Sequence, residues 1–171
     1  GGGQDGFALA SAFVADGVPP GWQGVVITGP CMPATERMQL KRMAGDSRRM
    51  MIIDRIVEAD HWLRRATRVV TMGGYNSVAA ILSFAKPALI VPRIRPRREQ
   101  WIRAERLRNL GWTSVVSPDG LKPGIIRRWL ETDDVARPDR SAVNLNGLKT
   151  IGERLMDMFE SSTVAAHPCL T

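Results

Sequence analysis

The stretch VVTMGGYNSVAAILSFAKPALIV, residues 69–91, decides the fold because its hydrophobic pattern changes twice. It begins with a short β-branched apolar run, passes through two glycines into a helix-like segment from Asn76 to Phe84, and ends in a second apolar run at 88–91. Short apolar runs separated by an amphipathic helix indicate a βαβ unit, with parallel strands that are covered on both faces. The stretch therefore predicts an α/β protein.

The same alternation continues on both sides of this stretch. Further apolar runs predict strands at 25–27, 51–53 and 115–116. Helix-like segments occupy 7–15, 35–44, 59–66, 99–110 and 125–130. At the helix ends, we expect Asn76 to cap the helix that follows it, Gly111 to end a helix, and Pro123 to lie in a first turn. Together these patterns predict a Rossmann-like parallel sheet flanked by helices.

The chain begins with GGGQDG, residues 1–6, which is typical of the turn between a strand and a helix. A doubly wound sheet normally starts with a central strand, and the turn after that strand forms part of the ligand crevice. No strand precedes this turn in the sequence. We therefore expect the first strand to be missing and to lie upstream of Gly1.

The later part of the chain predicts a different organisation. We expect a Rossmann-like domain over 1–130, a polar linker over 131–146, an amphipathic helix over 147–160 and a disordered tail over 161–171. Apolar residues recur on one face of that helix. This face predicts either an exposed apolar surface or a homodimer contact.

Composition and charge narrow the class of protein. The 171 residues are 44% hydrophobic and 24% charged, which is typical of a folded globular protein. The net charge is +7, 20 of the 24 cationic residues are arginine, and seven of these lie between Arg93 and Arg108. This balance favours anionic partners such as nucleotides, nucleic acid or anionic lipid. No apolar stretch approaches the roughly 18–20 residues needed to span a bilayer, and the N-terminus lacks the pattern of a signal peptide, so we expect a cytoplasmic protein without a transmembrane segment.

Three turns follow predicted strands and precede predicted helices, which is where open α/β sheets bind ligands. Glycines let a ligand approach the backbone, helix amino termini favour phosphate, and arginines pair bidentately with pyrophosphate. Candidate ligand-binding residues are Gly2, Gly3, Gln4, Gly73, Gly74, Tyr75, Asn76, Ser77, Arg93, Arg97, Arg98, Glu99 and Gln100. Each turn also has a plainer interpretation, as a flexible terminus, a capped turn or a solvated basic loop.

The sequence contains no recognisable catalytic motif. It lacks a nucleophile elbow, a P-loop with its lysine, and a His/Asp/Glu set with metal-ligand spacing. His61 lies beside Trp62 in a helical segment, where a surface role is the commoner one. We therefore predict no catalytic residue, no metal site and no cofactor within this chain.

The three turns together resemble the C-terminal, donor-binding domain of GT-B-fold glycosyltransferases. The run GGYNSV…ILSFAKPALIVPR…PRREQWIRAERL, within 73–107, is especially similar to predicted glycosyltransferases related to the peptidoglycan-precursor N-acetylglucosaminyltransferase (glycosyltransferase family 28). The resemblance covers about residues 1–130. It implies one half of a GT-B fold, a nucleoside-diphosphate sugar donor that is expected to be a UDP-sugar, and transfer of the glycosyl group to an acceptor.

The resemblance also implies roles for individual residues. The glycine turns would meet the diphosphate, Ile56 would lie near the base, and Glu99 with Gln100 would hold sugar hydroxyls. Ala80 stands where the family commonly places a glutamate that binds the ribose. The acceptor and the catalytic base would come from an N-terminal domain absent from this chain. The family further suggests peripheral association with the inner membrane surface.

Two other functions fit the sequence. A non-catalytic donor-binding subunit would need a separate acceptor subunit as its partner. A basic nucleic-acid-binding module would explain the charge, but single-strand binding favours aromatic residues among the basic ones and only Trp101 is near. We therefore expect nucleic acid to be an unlikely partner.

Overall fold

The structure is a computed structural model that describes residues 4–54, 59–144 and 147–164. The chain divides into two compact units, residues 1–140 and 141–171. The first unit holds the strands and most of the helices, and the second holds the long C-terminal helix. The first unit extends past the predicted boundary at 130, and Val135 within this added segment is buried.

Helices and strands alternate through the first unit, as predicted. The helices are α1 (Phe7–Asp16), α2 (Ala34–Ala44), α3 (Asp60–Arg65), α4 (Tyr75–Ser83), α5 (Glu99–Asn109) and α6 (Ile125–Glu131). The strands are β1 (Gly24–Thr28), β2 (Met50–Asp54), β3 (Val69–Thr71), β4 (Ala88–Ile90) and β5 (Ser114–Val115). A 3-10 turn at Pro118–Gly120 follows β5.

Among the described residues, every strand pairing is parallel, and the pairings form two sheets. β1 pairs with β2 so that Gly24 lies opposite Met50, and the second sheet has the order β3-β4-β5. The α/β prediction, with small parallel sheets flanked by helices, is confirmed. Doubly wound order would place the predicted first strand between β1 and β3. No strand occupies that position among the residues that the structure describes.

The core is organised around β4, whose side chains alternate between two faces. Leu89 packs in one cluster with Val18, Ile126 and Leu130, on the side of α1 and α6. Ile90 packs in a second cluster with residues of α4 and α5. β4 is therefore covered by helices on both faces, as expected for a strand of nearly continuous apolar sequence.

Two predicted helix starts are wrong. Helix α4 begins at Tyr75 with Gly74 as its N-cap, so Asn76 lies inside the first turn and does not cap the helix. Gly73 has a positive φ of 73°, and this turns the chain into the helix before Asn76 is reached. Pro123 is not in the first turn of α6, because Gly124 intervenes as a left-handed N-cap.

Asp16 explains the start of α6 from a distance in the sequence. Its Oδ1 accepts from the Gly124 N–H at 2.6 Å and its Oδ2 accepts from the Ile126 N–H at 3.0 Å. These bonds satisfy backbone donors that the helix itself leaves without partners. The predicted role of Gly111 is confirmed, since it has a φ of 72° and its N–H donates to the Arg108 carbonyl at 2.8 Å.

The second unit contains α7 (Gly147–Val164), which extends beyond the predicted end at 160. Residues 161–164 are helical and do not belong to a tail, and the remainder of the predicted tail lies outside the described residues. Large apolar side chains are exposed along α7: Ile151, Leu155, Met156, Met158 and Phe159. The predicted homodimer through this surface stays a prediction.

In the parts of the chain that the structure describes, none of the helices combines the length and the apolar character needed to cross a membrane.

Candidate functional site

A cleft of about 510 Å³ opens at the carboxyl edge of the second sheet. Its walls come from the first turn of α1 and from the loops that follow β3, β4 and β5. The lining residues are Asp5, Ala8, Leu9, Met72, Val91, Pro92, Arg93, Ile94, Arg95, Pro118, Asp119 and Leu121. The carboxyl ends of parallel strands are the usual ligand site of open α/β sheets.

Helix α1 directs its amino terminus toward this cleft, since Ala8 and Leu9 in its first turn line it. The N-cap is Gly6, which offers no side-chain hydrogen bond to the first amide groups. Such amides and the helix dipole attract anions. Gln4 lies in the exposed turn before the helix, and Gly2 and Gly3 lie outside the described residues.

Arg93 is the best-fixed cation of the cleft. Its backbone N–H donates to Gln100 Oε1 at 3.0 Å, which ties the loop after β4 to the first turn of α5. Its guanidinium Nη1 donates to Asp5 Oδ2 in an ion pair between two loops that are distant in the sequence. Its Nε is shielded from solvent and has no hydrogen-bond partner within the described residues.

Arg95 and Asp119 carry the other charges of the cleft, and both are exposed. The 3-10 turn holds Asp119 in place, because Ser117 Oγ accepts from the Gly120 N–H at 3.1 Å. The described cleft therefore contains two arginines and two aspartates. The formal charges of these four side chains sum to zero.

The turn after β3 requires glycine at one position. Gly73 has a φ of 73°, and a Cβ placed on it would lie 2.8 Å from Ile90 Cγ2. Gly74 has open space around it and a negative φ. Gly73 thus lets the chain turn closely over β4, and its neighbour Met72 reaches the cleft.

Arg103 holds this turn from helix α5. Its Nη1 donates to the Gly73 carbonyl at 3.1 Å, and its guanidinium carbon lies 5.7 Å from the centroid of the Tyr75 ring. Tyr75 is 74% exposed at the start of α4. The two residues form an aromatic and cationic pair on the rim of the sheet.

The structure brings only part of the predicted site together. Arg93 lines the cleft, and Gln100 contacts it through the Arg93 backbone. The remaining described candidates lie outside the lining: Gln4, Gly73, Gly74, Tyr75, Asn76, Ser77, Arg97, Arg98 and Glu99. Ile56 lies outside the described residues. The ligand roles assigned to these residues stay predictions.

Sequence reasoning missed Asp5, Arg95, Arg103 and Asp119. Asp5 lies in the GGGQDG turn and Arg95 lies in the arginine cluster. No feature of the sequence distinguishes either residue from its neighbours. Arg103 follows Glu99 by four residues, one helical turn, but its contact with Gly73 depends on the packing of α5 against α4. That packing could not be derived from local pattern.

Within the part of the chain that the structure describes, two ionisable groups have displaced pKa values, and neither lines the cleft. The pKa of Asp54 is lowered, first by its hydrogen bond from Lys41 and against the opposing effect of burial. Burial lowers the pKa of Arg68. Across residues 4–54, 59–144 and 147–164, no group of three or more His, Cys, Asp or Glu side chains could hold a metal ion.

No protein-family model matches this sequence, and no curated protein matches it either.

Proposed function

We propose that this chain is the donor-binding domain of a glycosyltransferase and that it holds a nucleoside-diphosphate sugar, with UDP as the expected nucleotide. The observation that carries the proposal is the cleft at the carboxyl edge of β3, β4 and β5. Its volume of about 510 Å³ lies within the range of roughly 300–1,000 Å³ that small-molecule sites occupy.

The chemistry of the cleft suits a diphosphate. The amino terminus of α1 offers backbone N–H groups without a side-chain cap, and Arg93 and Arg95 supply positive charge. These donors stabilise phosphate oxygens without a metal, and they would also stabilise charge on a departing nucleoside diphosphate. The apolar lining from Leu9, Met72 and Ile94 would contact the nonpolar faces of the ligand.

The proposed role is binding, and the acceptor with its base would come from an N-terminal domain. The carboxylates in the described lining are those of Asp5 and Asp119, and Asp5 is engaged by Arg93. A donor-binding subunit that works with a separate acceptor subunit would use the same cleft in the same way.

A titration followed by NMR tests the proposal. The chain is titrated with UDP-glucose, UDP-N-acetylglucosamine, GDP-mannose and UDP, and amide shifts are recorded at each step. We expect the largest shifts at Met72 and from Val91 to Arg95, with a UDP-sugar binding more tightly than the GDP-sugar. Absence of binding by all four at millimolar concentration would refute the donor-domain function.

The nucleic-acid alternative has one favourable observation, the exposure of Arg95, Arg97 and Arg98 in a single loop. Binding through such a loop depends on counterion release and falls steeply with added salt. A duplex DNA titration at 50 and 200 mM salt separates the alternatives. Tight DNA binding that is lost at the higher salt concentration, without binding of any nucleotide sugar, would favour a nucleic-acid-binding function.

A further inference from the structure

The ion pair between Asp5 and Arg93 occupies the place where the proposed ligand would put its phosphates. The two residues are 88 positions apart in the sequence, and their contact joins the turn before α1 to the loop after β4. Both side chains line the cleft. Asp5 therefore neutralises Arg93, the best-fixed cation of the site.

Asp5 does not cap the helix that follows it. The N-cap of α1 is Gly6, no side chain caps the helix, and the first turn contains no acidic residue. The Asp5 carboxylate thus contributes to Arg93 and not to the helix cap. Because its side chain is 48% exposed, it can leave Arg93 and become hydrated without a large change in solvation.

We propose that Asp5 is an internal competitor of the ligand, so that binding exchanges the Asp5–Arg93 ion pair for a pair between Arg93 and a phosphoryl group. This inference rests on the proposed binding of a diphosphate in the cleft. Asp5 engages Nη1 of Arg93 through one oxygen, and Nε has no acceptor among the described residues. Each phosphoryl group of a nucleoside-diphosphate sugar has two non-bridging oxygens, which can accept from the guanidinium in the bidentate manner that arginine favours.

The exchange has a consequence for selectivity. A monovalent anion such as chloride would replace one negative charge by another and would gain nothing over Asp5. A diphosphate brings more charge and also reaches the amino terminus of α1. Asp5 therefore suppresses occupancy of the cleft by simple anions, at the cost of some affinity for the proper ligand.

A double-mutant cycle with inorganic pyrophosphate and with UDP as the probes tests the competition. Calorimetry is carried out on the wild type and on D5N, R93Q and the double variant D5N/R93Q. We expect D5N to bind both probes about fivefold more tightly, the upper range for releasing an exposed ion pair. The gain should vanish when Arg93 is replaced. An unchanged or weaker affinity in D5N, or a gain that persists in the R93Q background, would overturn the proposal.

D119N is the matched control, because Asp119 lines the same cleft and has the same charge. It should raise the affinity by less than D5N, and an equal gain would show general repulsion and overturn the competition. Binding of UDP with no gain in D5N would leave the proposed function standing. Failure of every variant to bind either probe at millimolar concentration would remove the proposed function and this inference together.

A second measurement uses the wild-type protein and does not depend on a variant that folds. The side-chain carboxyl carbon of Asp5 and the Nε–Hε group of Arg93 are followed by NMR during addition of pyrophosphate. Both signals should shift along the same saturation curve. A saturated site with an unmoved Asp5 carboxyl signal would contradict the exchange.

Discussion

The two parallel sheets of the first unit differ in how they are covered. β1 and β2 each have five residues, yet most of β2 is only half-buried and Met51 is 40% exposed. β3 and β4 have only three residues each, but β4 is buried along its whole length by helices on both faces. Coverage and not strand length therefore identifies β4 as the structural centre, and the cleft lies at the carboxyl edge of its sheet.

The largest expected effect is in β4. Ile90 is fully buried against Val78, Ala104 and Leu107, so I90A leaves a cavity and should lower the free energy of unfolding by about 2–5 kcal/mol. M51A in β2 removes an exposed side chain and should change it by less than about 1 kcal/mol. Urea denaturation measures both. Equal losses of unfolding free energy in I90A and M51A would show that β4 and β2 do not differ in how strongly their burial stabilises the fold.

Gly73 should show the next largest effect, because it lets the chain turn over β4. The G73A side chain would lie 2.8 Å from Ile90 Cγ2 on a backbone with positive φ, and we expect a loss of about 2–3 kcal/mol. G74A is the matched control, since a Cβ there meets open space at negative φ, and it should be near neutral. The same urea titration distinguishes them. A G74A loss as large as that of G73A would show that the close approach is unimportant.

Arg68 connects the two sheets at their amino ends and gives the third prediction. Its guanidinium lies 5.5 Å from the Trp22 ring before β1 and 5.4 Å from the Trp129 ring of α6. It also donates to the carbonyls of Trp129 and Thr132. R68A should therefore cost about 1.5–2 kcal/mol of unfolding free energy.

Arg65 provides the control for this prediction, because it is an exposed arginine at the end of α3. R65A should leave the urea midpoint almost unchanged. If R65A and R68A had the same effect, the loss would reflect net charge and not the contacts of Arg68 with the two tryptophan rings. A normal R68A midpoint would show that the sheets do not depend on this arginine.

The sequence predicted the second sheet better than the surroundings of its cleft. The apolar runs at 69–70 and 88–91 determined β3 and β4, because a strand covered on both faces must be apolar throughout. Gly73 was also found from its local context. By contrast, the partners of Arg93 and Arg103 come from residues far apart in the chain. Such contacts follow from tertiary packing, and neither hydrophobic period nor cap chemistry encodes them.

Helix starts show the same limit on a smaller scale. Asn76 has the chemistry of an N-cap, but the left-handed turn at Gly73 starts the helix earlier. Asp16 caps α6 across more than 100 residues, through bonds to the N–H groups of Gly124 and Ile126. A sequence-local rule identifies the residue type that caps a helix but not a cap supplied by a distant segment.

The smallest expected effect lies at the carboxyl end of the first sheet and depends on pH. Lys41 Nζ donates to Asp54 Oδ2 at 2.7 Å and is the first cause of the lowered pKa of Asp54, with Thr28 contributing a further hydrogen bond. Because the pKa of Asp54 in the folded state is below its ordinary value of 3.8, the carboxylate stabilises the fold above that pH. This contribution is lost as the pH falls through the folded-state pKa.

K41M should therefore be less stable than the wild type at pH 7 by about 0.2–1 kcal/mol, the range for a solvent-exposed pair. The difference should begin to shrink as the pH falls below 3.8, the ordinary pKa of Asp54, and should vanish below the lowered folded-state pKa, where Asp54 is protonated in both proteins. R42M removes a neighbouring exposed charge of α2 without touching Asp54, so its difference from the wild type should depend less on pH. Urea midpoints at pH 7 and pH 3 provide the comparison. A K41M difference that is the same at both pH values would show that the Lys41–Asp54 pair does not stabilise the first sheet.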